Sequence, residues 1–290
     1  MQTYNIFTNT EDSLPSGKAD FLLITGATKH CEDEKELLYS QLDSQLLKTQ
    51  ELLSSLQTNE EFTHSPSPVI ITRALENLNG FSAIERLNFN AQESFDAKDI
   101  FGQGMDFGKS YELKGNYLIL GESIACSETT VKETILALGY ESQDNEERNS
   151  FEKLTEVSDA SLVFCAGFLL EATRRFHVVL AGGTLMATIL LIADALREDV
   201  LMRIKHDNIT LATLNNNSEL QQILTKLSYT PHALYTEFDF KDSEIEALRC
   251  FNSKNLLDRC GAGAALAYAT TNSLTQAEVL NEVEIIIYCL

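Results

Sequence analysis

The chain has 290 residues, with 43 acidic and 22 basic side chains and a net charge of −21 at pH 7. This balance argues against nucleic-acid binding, because a phosphate backbone needs a basic face, and against docking on anionic lipid. The length fits one large α/β domain or two lobes that share a core. Any anionic substrate must be held by local features rather than by bulk positive charge.

No segment has the order of residues of a targeting signal, and we expect a cytoplasmic protein that does not insert into a membrane. The longest apolar stretch, 178–196, is interrupted by glycine, threonine and aspartate, so a buried strand and helix explain it better than a membrane span. The six cysteines contain no CxxC pair and the five histidines no ligand motif. These patterns predict reduced thiols and no metal site.

The first predicted elements flank a proline-rich break. A strand is predicted at 21–25, where an apolar run ends at a glycine, and a long helix at 33–58 from the spacing of its leucines. The prolines of 65–68 break the chain, and a helix from Val69 to about Asn77 should follow. Residues 81–116 contain four glycines and are expected to form a loop-rich connection.

Three strand–loop–helix units are predicted next. Their strands lie at 117–120, 177–181 and 209–214, their loops at 121–123, 182–184 and 215–217, and their helices at about 128–138, 184–196 and 218–227. A surface loop at 142–150, a strand at 232–238 and a helix from Gly261 through Val283 are also expected. Strands that alternate with helices predict a mainly parallel, Rossmann-like sheet with helices on its faces and right-handed crossovers.

Two of these loops place glycines and hydroxyls between a strand end and a helix start: Gly121 and Ser123 in the first, Gly182, Gly183 and Thr184 in the second. Such a turn exposes backbone N–H groups and the positive end of a helix dipole, where a phosphate can bind. A tight turn that satisfies only its own helix is an equal alternative, since neither loop has a Walker or GxGxxG sequence. Two such turns on neighbouring strands favour a binding site, because ligands of parallel sheets bind at that edge.

Two carboxylates accompany these turns. Glu122 follows an apolar strand, and it either caps the next helix or faces a pocket. Asp258 and Arg259 come directly before the small-residue helix start at Gly261 and Gly263. From composition alone, Asp258 is best interpreted as the N-terminal partner of that helix and the glycines as packing residues.

Three segments, in this order, resemble motifs of one family. They are GESIACSETT at 121–130, AGGTLMA at 181–187 and DRCGAGAALA at 258–267, and they are similar to motifs of the nicotinate-nucleotide–dimethylbenzimidazole phosphoribosyltransferases, in particular the shorter branch of related proteins. SPSPVIITRA at 65–74 and LRCF at 248–251 resemble two further segments. The resemblance extends from about residue 20 to 280. Ser67 and Arg73 fall near the implied base pocket or lobe interface, where we expect structural roles.

The resemblance implies a reaction, a fold and partners. Ribose 5-phosphate would pass from nicotinate mononucleotide to 5,6-dimethylbenzimidazole or a related base such as adenine. Inversion at the anomeric carbon would give an α-riboside 5′-phosphate for the lower ligand of a cobamide such as cobalamin. The implied molecule has a large α/β lobe at about 65–255, a smaller helical lobe from the N- and C-terminal segments, no cofactor, and a homodimeric state.

The resemblance also implies roles for single residues. A glutamate in the last motif of the family is the general base, and alignment through Gly-Ala-Gly puts Asp258 in its position, whereas a second alignment puts Cys260 there. Asp258 and Glu122 are the expected catalytic carboxylates. The residues expected to bind the substrate and its phosphate are Gly121, Ser123, Ser127, Thr129, Gly182, Gly183, Thr184, Arg259, Gly261 and Gly263.

The chain departs from the family pattern in two motifs. Residues 125–128, Ala-Cys-Ser-Glu, replace Pro-Gly-Gly-Thr, so two glycines are lost and a carboxylate stands where a hydroxyl is expected. Arg259 and Ala264 replace glycines in the last motif. These changes leave open a second hypothesis, a relative without catalysis that binds a mononucleotide or a partner protein. A nucleotide-binding oxidoreductase is a third hypothesis, and the lack of GxGxxG argues against it.

Overall fold

Seven strands form a single mainly parallel sheet in the computed structural model, which describes residues 1–28, 31–32, 68–89, 94–140, 149–249 and 258–289. Strands β1 to β7 are Gln2–Asn5, Ala19–Ala27, Ala83–Phe89, Tyr117–Ala125, Val178–Ala181, Ile209–Thr213 and His232–Glu237. Their order across the sheet is β1-β7-β6-β5-β4-β2-β3. β1 is antiparallel to β7, and the other neighbouring pairs are parallel. The predicted fold class is confirmed.

Helices cover both faces of this sheet. The described helices, α1 to α10, are Val69–Leu78, Ala97–Ser110, Ser127–Ala137, Ser150–Val157, Ala160–Ala172, Thr184–Leu196, Ser218–Leu224, Glu246–Arg249, Ala262–Thr271 and Gln276–Tyr288. Side chains of α2 to α7 pack on one face, and side chains of α1 and α8 to α10 pack on the other. Because the central strands are buried on both faces, they are continuous apolar runs, which is why the sequence identifies them.

The region 81–116 differs from its prediction as a loop-rich connection, because it contains β3 and most of its remainder is the helix α2. Three of its four glycines lie inside this helix, and two of these, Gly104 and Gly108, allow close contact with α5. A Cβ on Gly108 would lie 2.8 Å from the carbonyl oxygen of Phe168 and 3.2 Å from the amide nitrogen of Ala172. Gly104 and Gly108 therefore serve helix packing and do not mark turns.

Other helices and strands also differ from their predictions. The C-terminal segment forms two helices, α9 and α10, instead of one, and Ser273 between them has a positive φ of 61°. β1, α4 and α5 were not expected from the sequence. The predicted helix at 33–58 and most of the predicted loop at 142–150 lie outside the described residues. The division into two lobes stays a prediction; β1 and β2, from the N-terminal segment, are strands of the main sheet.

Candidate functional site

The last of the three motifs crosses the carboxyl ends of β4, β5 and β6. The backbone N–H of Cys260 donates to the carbonyl oxygen of Glu122 on β4, at 2.6 Å. Asp258 reaches the end of β6, where its Oδ2 accepts from the backbone N–H of Leu214 at 3.0 Å. The motif segments that the sequence places in three distant regions therefore meet at one edge of the sheet, where parallel α/β folds bind ligands.

Asp258 has an asymmetric carboxylate. Oδ2 accepts from the hydroxyl of Thr213 and from the backbone N–H of Leu214, and the backbone N–H of Gly263 also donates to the carboxylate. Oδ1 is buried and has no hydrogen-bond partner among the described residues. Burial raises the pKa of Asp258 to about 6, and the hydrogen bonds to Oδ2 oppose this increase. The group can therefore be ionised at neutral pH and still accept a proton.

The turn between β5 and α6 lies beside this carboxylate. Gly182 has a φ of 154°, and a Cβ on Gly183 would lie 3.6 Å from Oδ2 of Asp258. Thr184 begins α6, so Gly182, Gly183 and Thr184 lie between a strand and a helix as predicted. The lack of side chains at Gly182 and Gly183 leaves space next to Asp258, at the positive end of a helix dipole.

Gly261 and Gly263 have packing roles. Gly261 has a φ of 74°, and its Cα would lie 3.2 Å from a Cβ on Gly121. A Cβ on Gly263 would lie 2.7 Å from the amide nitrogen of Leu214. The start of α9 therefore needs glycine to approach β4 and β6 closely enough to bring Asp258 over the sheet edge.

The first predicted glycine turn is wrong in its position. Gly121, Glu122 and Ser123 lie within β4, because this strand continues to pair with β2 as far as Ala125. Glu122 is buried, and its Oε2 accepts from the backbone N–H of Ile124 at 2.9 Å. Its negative charge contributes to raising the pKa of Cys165 on α5, after burial of that thiol. Glu122 is therefore a buried strand residue and not a helix cap.

Ser127 and Thr129 lie in the first turn of α3, directly after β4. Ser127 is buried, whereas Thr129 and Glu128 are exposed. Cys126, in the N-cap position, has a left-handed backbone with a φ of 57°. The helix thus begins after the strand as predicted, but one residue earlier than expected.

A disulfide joins Cys31 to Cys126, so the prediction of reduced thiols is wrong for this pair. The loops after β2 and β4 are held together by hydrogen bonds as well. The N–H of Thr28 donates to Ala125 O and its hydroxyl donates to Cys126 O, each at 3.1 Å. The pair is separated by 95 residues in sequence, which is why spacing did not reveal it.

Two threonines at this edge were missed by the sequence interpretation. Thr72 on α1 donates from its hydroxyl to the carbonyl oxygen of Cys260 at 2.7 Å, and Thr213 ends β6 and donates to Asp258. Thr213 had a usable signal, since it is a polar residue at the carboxyl end of a predicted strand. Arg259 is half-buried, and its carbonyl oxygen accepts from the N–H of Ala262 at 3.1 Å. Ser67 lies outside the described residues, and Arg73 is on α1.

The part of the chain that the structure describes contains neither a metal-binding cluster nor a membrane-spanning helix. No cluster of three or more histidine, cysteine, aspartate or glutamate side chains that could hold a metal ion occurs among them. None of the described helices combines the length and the apolar character that crossing a membrane requires.

Comparison with known proteins gives relatives of two kinds. A UPF0284 protein of Methanocaldococcus jannaschii is 24% identical over 274 residues, 77% of each chain. A UPF0284 protein of Sulfurisphaera tokodaii is 27% identical over 211 residues, and the match covers 65% of this chain and 60% of that protein. No family model matches the chain.

Among solved structures, nicotinate-nucleotide-dimethylbenzimidazole phosphoribosyltransferase from Thermus thermophilus aligns with 94% of this chain and 84% of its own, with a TM-score of 0.51 and 13% identity. A structure of CobT from Thermus thermophilus aligns with 92% of this chain, with a TM-score of 0.52 and 11% identity. The predicted resemblance is confirmed. The chain is similar to UPF0284 proteins in sequence and has the CobT fold, with its motif residues at the carboxyl edge of the sheet.

Proposed function

We propose that this chain transfers ribose 5-phosphate from nicotinate mononucleotide to 5,6-dimethylbenzimidazole or a related base such as adenine. The product is an α-riboside 5′-phosphate for the lower ligand of a cobamide. One observation carries the proposal: Asp258, with its pKa raised to about 6, lies beside the Gly182 and Gly183 turn at the ligand-binding edge of a parallel sheet. The fold and the ordered motifs support the same reaction.

The chemistry needs one general base. The bond from C1′ of the ribose to the pyridinium nitrogen breaks, and its electron pair neutralises the ring, so nicotinate leaves without a general acid. A ring nitrogen of the incoming base attacks C1′ from the opposite face, with oxocarbenium character at the transition state. The proton on the other ring nitrogen passes to Asp258. A carboxylate with a pKa near 6 suits this step, because it is ionised at neutral pH and more basic than an exposed aspartate.

The phosphate of an anionic substrate needs local positive features in a chain of net charge −21. The backbone N–H of Gly182 donates to Ala212 O, so the donors proposed in this turn are the N–H groups of Gly183 and Thr184 at the start of α6, and Arg259 offers a cation two residues before Gly261. Ser123, Ser127 and Thr129 are proposed as further hydroxyl donors near the end of β4. Glu122 is proposed as a second carboxylate near the ribose. A homodimer in the cytoplasm stays a prediction.

An assay with purified protein tests this proposal. Nicotinate mononucleotide is incubated with 5,6-dimethylbenzimidazole or adenine, and the riboside phosphate and released nicotinate are measured by mass spectrometry. We expect turnover that falls about 100-fold or more in Asp258→Ala, the range in which general bases contribute. Asp106→Ala, which removes an exposed carboxylate on α2, is the control and should keep full activity. Equal turnover in both variants would refute the assignment of the base.

A binding-only relative is the second candidate function. It is favoured by the substitutions at 125–128, where Cys126 forms a disulfide and the exposed Glu128 stands in the first turn of α3. A carboxylate there opposes phosphate binding by charge. Calorimetry that detects nicotinate mononucleotide binding, together with no product from any base tested, would select this alternative over the enzyme.

A further inference from the structure

The end of β6 holds one oxygen of Asp258 and leaves the other unpaired. Two donors converge on Oδ2, namely the hydroxyl of Thr213 and the backbone N–H of Leu214, and the backbone N–H of Gly263 is a third donor to the carboxylate. Oδ1 has no partner among the described residues and is buried. A carboxylate that is fixed through one oxygen can rotate little, so the direction of Oδ1 is set by the donors to Oδ2.

Thr213 is the only side chain among these three donors, and it is itself buried at 1% exposure. Its Oγ1 accepts from the backbone N–H of Asn215 at 3.1 Å, which orients the hydroxyl. The hydroxyl hydrogen has two acceptors in reach, Asp258 Oδ2 and the carbonyl oxygen of Asn215 at 3.2 Å. A bond to a carboxylate is charge-assisted and the stronger of the two, so ionised Asp258 draws the hydrogen to itself.

We propose that Thr213 is a positioning residue, which holds Oδ2 of Asp258 and leaves Oδ1, the oxygen without a hydrogen-bond partner among the described residues, as the proton acceptor. This inference rests on the proposed function for the role of Oδ1, but the contact between Thr213 and Asp258 can be tested without turnover. The hydroxyl stabilises the ionised carboxylate relative to the protonated acid. Its loss should therefore make Asp258 harder to ionise and less well oriented.

Substitutions at this residue separate the hydroxyl from the shape of the side chain. Thr213→Val keeps the branched shape without a donor, and Thr213→Ser keeps the donor. We expect the acid limb of the pH profile of turnover to move upward by about one pH unit in Thr213→Val, because bonds to charged groups are among the stronger ones. In Thr213→Ser the acid limb should stay at the pH that it has in the unmodified protein. An unchanged limb in Thr213→Val would overturn the inference.

A matched control is available on the next strand. Thr236 on β7 is fully buried, and its hydroxyl contacts the hydroxyl of Thr3 at 2.9 Å. Thr236→Val loses a buried hydrogen bond of similar kind without touching Asp258, so it should lower stability and leave the limb in place. If the acid limb moved equally far in Thr236→Val, the effect of Thr213→Val would result from general destabilisation and the inference would be overturned.

Melting temperature against pH tests the contact between Thr213 and Asp258 even if no base gives turnover and the proposed function fails. A further increase in the pKa of folded Asp258 lowers stability only at pH values where the variant with the lower pKa has begun to ionise, from near pH 6 upward, because below them both folded variants keep the proton. The difference in melting temperature between Thr213→Ser and Thr213→Val should therefore widen between pH 5 and pH 8. Thr213→Ala provides the same comparison with Thr213→Ser if the valine variant does not fold. A difference that is constant across this range overturns the inference.

Discussion

At the scale of single residues, Cys126 shows how a departure from the family pattern is accommodated. It occupies a left-handed backbone position with a φ of 57°, where the related motif has glycine. A residue with a Cβ in this conformation costs about 1 to 2 kcal/mol. The disulfide to Cys31 and the contacts of Thr28 hold the position. Because disulfides are rare in the reducing cytosol, this bond also bears on the predicted cytoplasmic location.

The disulfide gives a prediction about stability. Cys126→Ser, Cys31→Ser and the double variant should each lose the same free energy of unfolding, since each removes the same bond. The chain-entropy argument gives about 4 to 5 kcal/mol as an upper value for a loop of this length. Thermal unfolding with and without a dithiol reductant measures the loss in the unmodified protein. Cys289→Ser, at an exposed free thiol, should have no effect. Identical melting temperatures in oxidised and reduced protein would contradict the disulfide.

At the scale of elements, the crossing of α2 and α5 depends on glycines that differ in their surroundings. Gly108 faces the backbone of α5, where an added Cβ would lie 2.8 Å from Phe168 O. Gly102, on the same helix, has nothing within 4 Å of an added Cβ. Both lie inside a helix, where glycine is about 1 kcal/mol less favourable than alanine. Packing therefore decides whether alanine at each position raises or lowers the stability of the protein.

Alanine substitutions should accordingly have opposite effects. Gly102→Ala should stabilise the protein by about 0.5 to 1 kcal/mol, because it gains helix propensity without a clash. Gly108→Ala should destabilise it by about 1 to 3 kcal/mol, because backbone atoms of α5 must move. Chemical denaturation of both variants measures these differences. Destabilisation of similar size in both variants would contradict the difference in packing between Gly102 and Gly108.

The strands could be predicted from the sequence because their apolar residues face covered layers on both sides of the sheet. The helix α2 could not, because its glycines have the composition of a loop and their packing partner, α5, is distant in sequence. Gly121 and Glu122 were predicted as a turn because a glycine beside a charged residue is also typical of a loop. Only the structure shows that Glu122 is accommodated in a strand, through the N–H of Ile124. Asp258 could be selected only through the family resemblance, and Thr213 required the three-dimensional contact.

At the scale of the whole molecule, two titrating groups act on stability in opposite directions. Asp258 lies at the carboxyl edge of the sheet with its pKa raised to about 6, mainly by burial. His177 lies at the amino end of β5, where burial and the charge of His232 lower its pKa to about 4. Its Nε2 contacts the hydroxyl of Thr210 at 2.9 Å. The length of a four-residue strand, roughly 13 Å, separates the two edges, so the two effects should add independently.

The signs follow from proton binding. Between about pH 4 and 6, folded protein binds more protons at Asp258 than unfolded protein does, so stability from this group falls as pH rises through its folded pKa. At His177 the unfolded chain binds more protons between about pH 4 and 6.5, so stability from this group is lost as pH falls through its folded pKa. Each shift corresponds to roughly 1 to 3 kcal/mol after allowance for solvent screening. In the unmodified protein the two slopes oppose each other over the same range.

Single substitutions should separate these slopes. Relative to the unmodified protein, Asp258→Asn should become progressively more stable as pH rises from 4 to 6.5, because it removes the cost of ionising a buried carboxylate. His177→Gln keeps an amide donor for Thr210 and should become progressively less stable over the same range, again relative to the unmodified protein. The free energy of unfolding of the double variant should differ from that of the unmodified protein by an amount that hardly changes with pH. Free energies of unfolding at half-unit intervals of pH measure all three differences, and parallel curves for Asp258→Asn and the unmodified protein would contradict a raised pKa at Asp258.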